Sequence, residues 1–186
     1  IYYSHTGSIM RSFQLSSQAD PNKLFLTKFS ELEGRLDPGF CSMELSNKSL
    51  IPIKNIAIVR GGKRIPKGYT FSSNHTGYKY LRVKDFDSHN AENLKNVSKE
   101  LFHLLKRYEV TNGGLIISIA GTIGKTKILN HHINNKVILT ENAAQLLLKS
   151  NKLSYHFLNV VLQTDLLQQQ IKLSSIKTTI PKLGID

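Results

Sequence analysis

A short basic loop bounded by glycines is the part of this sequence best suited to bind a ligand. Residues 61–68 read Gly-Gly-Lys-Arg-Ile-Pro-Lys-Gly, and Tyr69 follows. Glycine lets a backbone approach a phosphate closely, and an arginine can donate two hydrogen bonds to a phosphate or to the edge of guanine. The loop therefore predicts contacts from Lys63, Arg64 and Lys67 to nucleic acid; the alternative is a solvated loop that binds nothing.

The charge around this loop favours a polyanionic partner. The chain has 25 Lys and Arg residues against 13 Asp and Glu residues, which is a formal net charge of +12. No acidic residue occurs between positions 54 and 84, and the basic residues there are Lys54, Arg60, Lys63, Arg64, Lys67, Lys79, Arg82 and Lys84. Because neutralising phosphates releases condensed counterions, this clustering favours nucleic acid over a membrane surface or over charge that only aids solubility.

A second glycine-rich segment resembles a nucleotide-binding loop only at its end. Residues 119–126 read Ile-Ala-Gly-Thr-Ile-Gly-Lys-Thr. A P-loop needs a glycine six positions before the lysine, where this chain has Ile119, and a helix after it, where this chain continues as a strand. A hairpin with a tight turn is the better interpretation, and Thr122 and Lys125 can face a phosphate from it.

Residues for catalysis or metal binding lack the spacing that such chemistry needs. No two histidines are four positions apart, as zinc ligands on one helix face would be. Asp85 and Asp87 are a weak candidate for a Mg²⁺ nuclease site, and a turn at the end of a strand explains them better. Neither a Gly-x-Ser-x-Gly nucleophile motif nor the Asn-Pro-Pro-Tyr motif of methyltransferases occurs. We therefore expect no metal, no cofactor and no catalysis in this chain.

Composition predicts a cytoplasmic location. The mostly apolar run at residues 115–120, which contains Ser118, is far shorter than the roughly 20 apolar residues that a membrane-spanning helix needs. The N-terminus lacks the pattern of a signal peptide. The one cysteine, Cys41, excludes an intrachain disulfide and fits a reducing compartment. The sequence begins with Ile1 rather than Met, which indicates a fragment or a missing start.

The apolar pattern predicts one α+β domain with a twisted, mostly antiparallel sheet and flanking helices. Strands are predicted over residues 51–59, 80–83, 115–119, 125–129, 137–140 and 144–148. Helices are predicted over about 93–108 and 153–171, with Ser154 as a cap for the second. The turns between residues 115 and 148 are too short for crossover helices, which favours antiparallel pairing. Residues 1–25 are irregular, so the domain is placed at 26–186.

Five segments, taken in order, resemble the target recognition domain of type I restriction–modification specificity subunits. They are residues 61–68, 80–86, 117–125, 139–146 and 178–185, and residues 29–38 are similar to the start of such a domain. The resemblance covers residues 26–185. It implies a non-catalytic domain that reads one half of a split duplex target. The alternative that it leaves open is the recognition domain of a fused type II restriction–methyltransferase enzyme.

The resemblance also implies partners and cofactors outside this chain. We expect double-stranded DNA, a methyltransferase subunit that binds S-adenosylmethionine, a motor–nuclease subunit that uses ATP and Mg²⁺, and a second recognition domain in the same or another chain. The competing classes are a small nuclease and an RNA-binding module, which would show a carboxylate cluster or an aromatic stripe respectively.

The residues expected to contact DNA fall into two groups. Phosphate contacts are expected from the basic side chains, and base contacts from loops at 70–79 and 174–179. The full set is Lys63, Arg64, Lys67, Tyr69, Asn74, His75, Lys79, Arg82, Lys84, Thr122, Lys125, Lys177 and Thr178.

Overall fold

The chain forms two compact units, residues 1–48 and 49–186. The structure is a computed structural model that describes residues 14–20, 24, 26, 51–88, 93–129, 136–175 and 182–184. In the first unit, residues 17–18 form a turn. All helices and strands reported below belong to the second unit. The expected domain start at residue 26 lies within the first unit and stays a prediction.

The second unit contains both helices and strands, which confirms the α+β class. Short 3₁₀ turns at Val83–Asp85 and Lys106–Tyr108 also lie within the described part of this unit. In chain order the elements are α1 (Ile53–Ile56), β1 (Ala57–Gly61), β2 (Tyr78–Leu81), β3 (Lys95–Asn96), α2 (Lys99–Leu104), β4 (Leu115–Ser118), β5 (Thr126–Ile128), β6 (Lys136–Leu139), β7 (Ala143–Leu148), α3 (Tyr155–Leu162) and α4 (Asp165–Ser174).

The strands divide between two sheets. Strands β1, β7, β4 and β5 pair in that order, and every pair is antiparallel. Strands β3, β2 and β6 form the other sheet, in which β2 and β3 are antiparallel and β2 and β6 are parallel. Antiparallel pairing thus predominates, as expected. The parallel pair is possible because the chain between β2 and β6 is long enough to return to the same end of the sheet.

The segment before β1 corrects a predicted boundary. A strand was expected over residues 51–59, but α1 occupies Ile53–Ile56 and β1 continues to Gly61. Ile51 and Ile53 are 67% and 38% exposed, so their alternating spacing does not reflect a buried strand face. Pro52 precedes the helix with a φ of −55°, which suits a helix start.

Helices form within both predicted ranges, but they are shorter than expected. In the first, Lys95–Asn96 pairs with β2 as a strand, and the helix begins only after Ser98, whose Oγ accepts from the backbone N–H of Leu101 at 3.1 Å. The second divides into α3 and α4. Ser154 caps α3 as predicted, because its Oγ accepts from the backbone N–H of Phe157 at 3.1 Å. Thr164 lies at the break, where its Oγ1 donates to the carbonyl of Val161 at 2.7 Å.

Apolar side chains pack on these sheets and position the loops between them. One cluster joins β1, β4 and β7 to α3 and α4, and its members include Leu115, Leu146 and Leu158. Another joins β2 and β6 to α2 through Tyr80, Ile138 and Phe102, which are all buried. Strand β6 belongs to one sheet and β7 to the other, so the turn between them, residues 140–142, connects the two sheets. Among the described residues, no helix is long and apolar enough to cross a membrane.

Candidate nucleic-acid interface

The basic loop that follows β1 lies directly against the turn between β6 and β7. The backbone N–H of Gly62 donates to the carbonyl of Ala143, and that of Lys63 donates to the carbonyl of Leu139, both at 2.9 Å. A Cβ atom on Gly62 would lie 2.1 Å from the carbonyl oxygen of Thr140, a distance that no real side chain tolerates. Glycine is therefore required here, because the two backbones touch.

An open cleft of about 710 Å³ lies between this loop, the end of β2 and the turn between β6 and β7. Four basic side chains line it, namely those of Arg64, Lys67, Arg82 and Lys84. Among the described residues that line the cleft, Glu141 alone is acidic. Aromatic rings also contribute to its wall, from Tyr69, Phe71 and Tyr80. A groove with this charge balance attracts an anionic ligand and offers flat apolar surface beside it.

A hydrogen bond from a buried tyrosine also holds the basic loop in place. Tyr80 is 4% exposed, and its hydroxyl donates to the carbonyl of Lys63 at 2.8 Å. Burial is the main cause that raises the pKa of Tyr80, and the Glu141 carboxylate adds to it. The phenol therefore stays protonated around neutral pH and keeps its hydrogen to donate. The loop is thus anchored by a side chain as well as by the strand turn.

Glu141 is held as a charged carboxylate at the edge of the cleft. Its Oε1 accepts from Arg64 Nε at 2.7 Å, and its Oε2 accepts from the Thr140 hydroxyl at 2.9 Å. Burial alone would raise the pKa of Glu141, but hydrogen bonds from Arg64, from its own backbone and from Thr140 outweigh it, so the pKa lies below its ordinary value. The side chain of Glu141 is 29% exposed and that of Arg64 is 79% exposed. The pair therefore sits where a ligand in the cleft would meet it.

Arg82 is bound by an internal partner instead. Its Nε and Nη2 donate to the two carboxylate oxygens of Asp85 at 2.7 and 2.8 Å. The side chains of this pair are 21% and 11% exposed. The guanidinium also lies 5.7 Å from the centre of the Phe71 ring, in cation–π range. Arg82 therefore stabilises the 3₁₀ turn at Val83–Asp85. Because Asp85 neutralises part of its charge, Arg82 contributes only the remaining part to the cleft.

The glycine-rich segment at 121–124 is a turn, as predicted. Gly121 and Gly124 have φ values of +73° and +83°, the left-handed region that favours glycine. Thr122 is exposed, and Lys125 forms an ion pair with Asp87. This turn is tied to the cleft through Asn142, whose carbonyl accepts from the backbone N–H of Ile119 at 2.8 Å. Thr122 and Lys125 thus lie beside the cleft rather than in its wall.

The structure brings some of the remaining predicted residues together and separates others. Lys63 is exposed at the start of the loop, and Tyr69 lines the cleft while its hydroxyl donates to Glu100 at 2.8 Å. Asn74 and His75 are exposed but do not line the cleft. Lys177 and Thr178 lie outside the described residues.

The structure corrects the prediction that was made for Lys79. It was expected to contact DNA, but it is 0% exposed in the middle strand of the three-stranded sheet and takes part in an interaction inside the protein. Alternation along β2 places it on the face opposite to Tyr78 and Tyr80. A buried side chain cannot reach a phosphate, so we leave it out of the interface.

Several residues that line the cleft were not named among the predicted contacts, and they include Phe71, Tyr80 and Glu141. The sequence does carry a signal for the last of these. Between residues 110 and 185 only Glu141 and Asp165 are acidic, and Glu141 lies between two apolar strands. An isolated carboxylate in such a turn, within a basic chain, points to a specific ionic partner.

The candidate nuclease carboxylates are bound to basic side chains. Asp85 accepts from Arg82, and Asp87 accepts from Lys125. Asp85 ends a 3₁₀ turn just after β2, as the turn interpretation predicted. Within the described part of the chain, no group of three or more His, Cys, Asp or Glu side chains could hold a metal ion.

Comparison with solved structures finds chains of type I restriction–modification systems. The S subunit from M. genitalium matches with a TM-score of 0.48 and 14% identity, over 77% of this chain and 33% of that one. The HsdS subunit from Thermoanaerobacter tengcongensis matches with a TM-score of 0.45 and 16% identity, over 73% of this chain and 33% of that one. A chain from a type I system studied for complex assembly and conformational transition matches with a TM-score of 0.42 and 14% identity, over 73% of this chain and 34% of that one.

The first two of these structural neighbours are S (HsdS) subunits, the kind of subunit that the five sequence segments resemble. This chain spans about a third of the length of each of them. No family model matches the sequence, and no curated protein sequence matches it.

Proposed function

We propose that this chain binds duplex DNA through the basic cleft and reads one half of a split target as the specificity component of a type I restriction–modification enzyme. The observation that carries the proposal is the cleft itself, which is lined by four basic side chains and, among the described residues, by one carboxylate. Anchored main-chain segments hold the loop that supplies two of those basic side chains. The five ordered sequence segments supply the choice of family.

Exposed lysines would supply affinity without sequence preference. Three of the lysines are exposed: Lys63 and Lys67 on the loop, and Lys84 in the 3₁₀ turn that follows β2. Lysine is a compact charge on a flexible stem, which suits phosphate contacts that fix the position of the protein on the duplex. Each such contact releases counterions and makes binding weaker as salt rises.

Chemistry would belong to other subunits in this proposal. A methyltransferase subunit with bound S-adenosylmethionine would modify the DNA, and a motor–nuclease subunit with ATP and Mg²⁺ would translocate and cut it. The second half of the target would be read by another recognition domain. A recognition domain fused to a type II restriction–methyltransferase enzyme would use the same cleft and remains the alternative arrangement.

The proposal is tested by measuring binding of the full chain to three ligands: random-sequence duplex DNA, single-stranded DNA and single-stranded RNA. Fluorescence anisotropy over a range of salt concentrations gives the slope of log K against log salt. Three phosphate contacts correspond to a slope of about −3 for duplex DNA. Tighter binding to single-stranded RNA than to the duplex would refute the proposal, as would the absence of salt-dependent duplex binding.

The link to restriction–modification needs a separate experiment in the source cell. Deleting the gene should remove one set of methylated sites, and restoring it should return them. Expression of a variant in which Lys63, Lys67 and Lys84 are all alanine should fail to restore them. An unchanged pattern of methylation after deletion would contradict the proposed family role even if the chain binds DNA.

A further inference from the structure

The two arginines of the cleft differ in how many guanidinium donors remain available to bind a ligand. Arg64 donates only its Nε–H to Glu141, at 2.7 Å, and its side chain is 79% exposed. Within the described part of the chain, its two Nη groups have no hydrogen-bond partner. Arg82 is engaged through both Nε and Nη2 with Asp85 and is only 21% exposed. Arg64 therefore has a free pair of donor groups, and Arg82 does not.

The contact with Glu141 also restricts the orientation of Arg64. A guanidinium is planar, so a hydrogen bond at Nε limits the directions in which the two Nη groups can point. Glu141 is itself held by the Thr140 hydroxyl at 2.9 Å and lies in the turn that the loop backbone touches. The result is an exposed arginine whose outer donors are partly preorganised.

Such an arrangement suits a base more than a phosphate. Guanine offers two acceptors, O6 and N7, side by side in the major groove, and a guanidinium matches both at once. A phosphate can also accept two hydrogen bonds from an arginine, but it does not require a fixed plane, and the exposed lysines of the same cleft can neutralise it. A carboxylate beside the arginine would also repel a phosphate, which carries a full negative charge, more strongly than the uncharged edge of a base.

We propose that Arg64, positioned by Glu141, reads a guanine in the half-target, so that these two residues determine specificity at one base pair. This inference rests on the proposed function. In it, Arg64 touches the base, and Glu141 acts through Arg64 as a positioning residue. The exposed lysines Lys67 and Lys84 contact phosphates and carry no preference between bases.

The test begins with selection of bound sequences from a pool of random duplexes by the full wild-type chain. Dissociation constants are then measured for the selected duplex and for every single-base-pair change in it. The variants are R64K, which keeps the charge but loses the planar fork, and E141Q, which keeps the size of the side chain. K67A is the matched control from the same loop. Arg64 and Lys67 are both exposed, so neither substitution removes core packing.

The expected result is a change confined to one position. Wild type should prefer one G·C pair over its alternatives by roughly 10- to 100-fold, and R64K should lose that preference while keeping the others. E141Q should reduce the same preference while binding of unrelated duplexes stays equal or becomes tighter, since a negative charge has been removed near the DNA. K67A should weaken binding to all duplexes alike and lower the salt slope by about 1.

Two outcomes would contradict this inference alone, and a third would contradict the proposed function as well. If R64K keeps every base preference, Arg64 does not read a base. If R64K weakens all duplexes equally, as K67A does, Arg64 is a phosphate contact. If the wild-type chain selects no sequence and binds no duplex, the proposed function fails and the inference falls with it.

Discussion

Replacing Gly62 by alanine tests whether the basic loop is packed as tightly as the structure indicates. The added Cβ atom would lie 2.1 Å from the carbonyl oxygen of Thr140 and 2.4 Å from that of Leu139. Both neighbours are backbone atoms, one at the end of β6 and one in the turn that follows it, so neither can swing away as a side chain would. The loop must instead move out, which strains the two hydrogen bonds that Gly62 and Lys63 donate to the strand ends on either side of that turn.

The magnitude follows from these contacts. Overpacking a tight site costs about 1–3 kcal/mol, and each weakened hydrogen bond adds about 1 kcal/mol at most. We therefore expect G62A to lower the free energy of unfolding by about 3 kcal/mol. The chain has no tryptophan, so far-UV circular dichroism during urea unfolding is the suitable measurement.

Gly184 provides the matched control for this substitution. A Cβ atom there would meet nothing within 4 Å, and no positive φ occurs at that position. G184A should leave the free energy of unfolding within about 0.5 kcal/mol of wild type. If G62A is as stable as G184A, the loop is not packed against the turn, and the geometry assigned to the cleft is wrong.

Three further changes test the local interactions around the fold and the site. S154A should destabilise the chain by about 1 kcal/mol in urea unfolding because it removes a helix cap, whereas S154N should retain most of the stability; equal losses would contradict the cap. Y80F should lose about 1 kcal/mol and speed amide hydrogen exchange in the loop, because Lys63 loses its hydroxyl donor; unchanged exchange would show that the tyrosine does not hold the loop. The pKa of Glu141 lies below its ordinary 4.5, so its carboxylate stabilises the fold above that pH and the effect is lost as pH falls through the lowered pKa. E141Q should thus be less stable than wild type at about pH 7, and the difference should shrink as pH falls below the ordinary pKa of 4.5; a pH-independent difference would refute this.

Features that depend on a few neighbouring residues were predictable from the sequence. Ser154 caps a helix because its own side chain reaches the backbone N–H of Phe157. The turn at 121–124 forms because glycines there can adopt positive φ. The basic loop was also located correctly, since glycine and charge mark it without reference to distant residues. These signals are local, and tertiary packing does not reverse them.

Features that depend on pairing between distant segments were not predictable. Lys79 has the positive charge expected of a DNA-contacting residue, but it is buried because β2 lies between β3 and β6 in its sheet. Residues 95–96 continue a helical apolar pattern, yet they pair with β2 as a strand. The ion pair between Arg64 and Glu141 joins side chains 77 positions apart, a distance over which spacing carries no information.

The way the basic loop is attached has a consequence for how such a protein could change its target. On the loop side, the three anchoring hydrogen bonds use the N–H of Gly62 and the N–H and carbonyl of Lys63, which are main-chain atoms. The side chains at positions 63, 64 and 67 take no part in these anchors, so mutation can replace them without dismantling the support. Scaffold and recognition are thereby separable: one framework can be inherited intact while drift and selection diversify the residues that it presents.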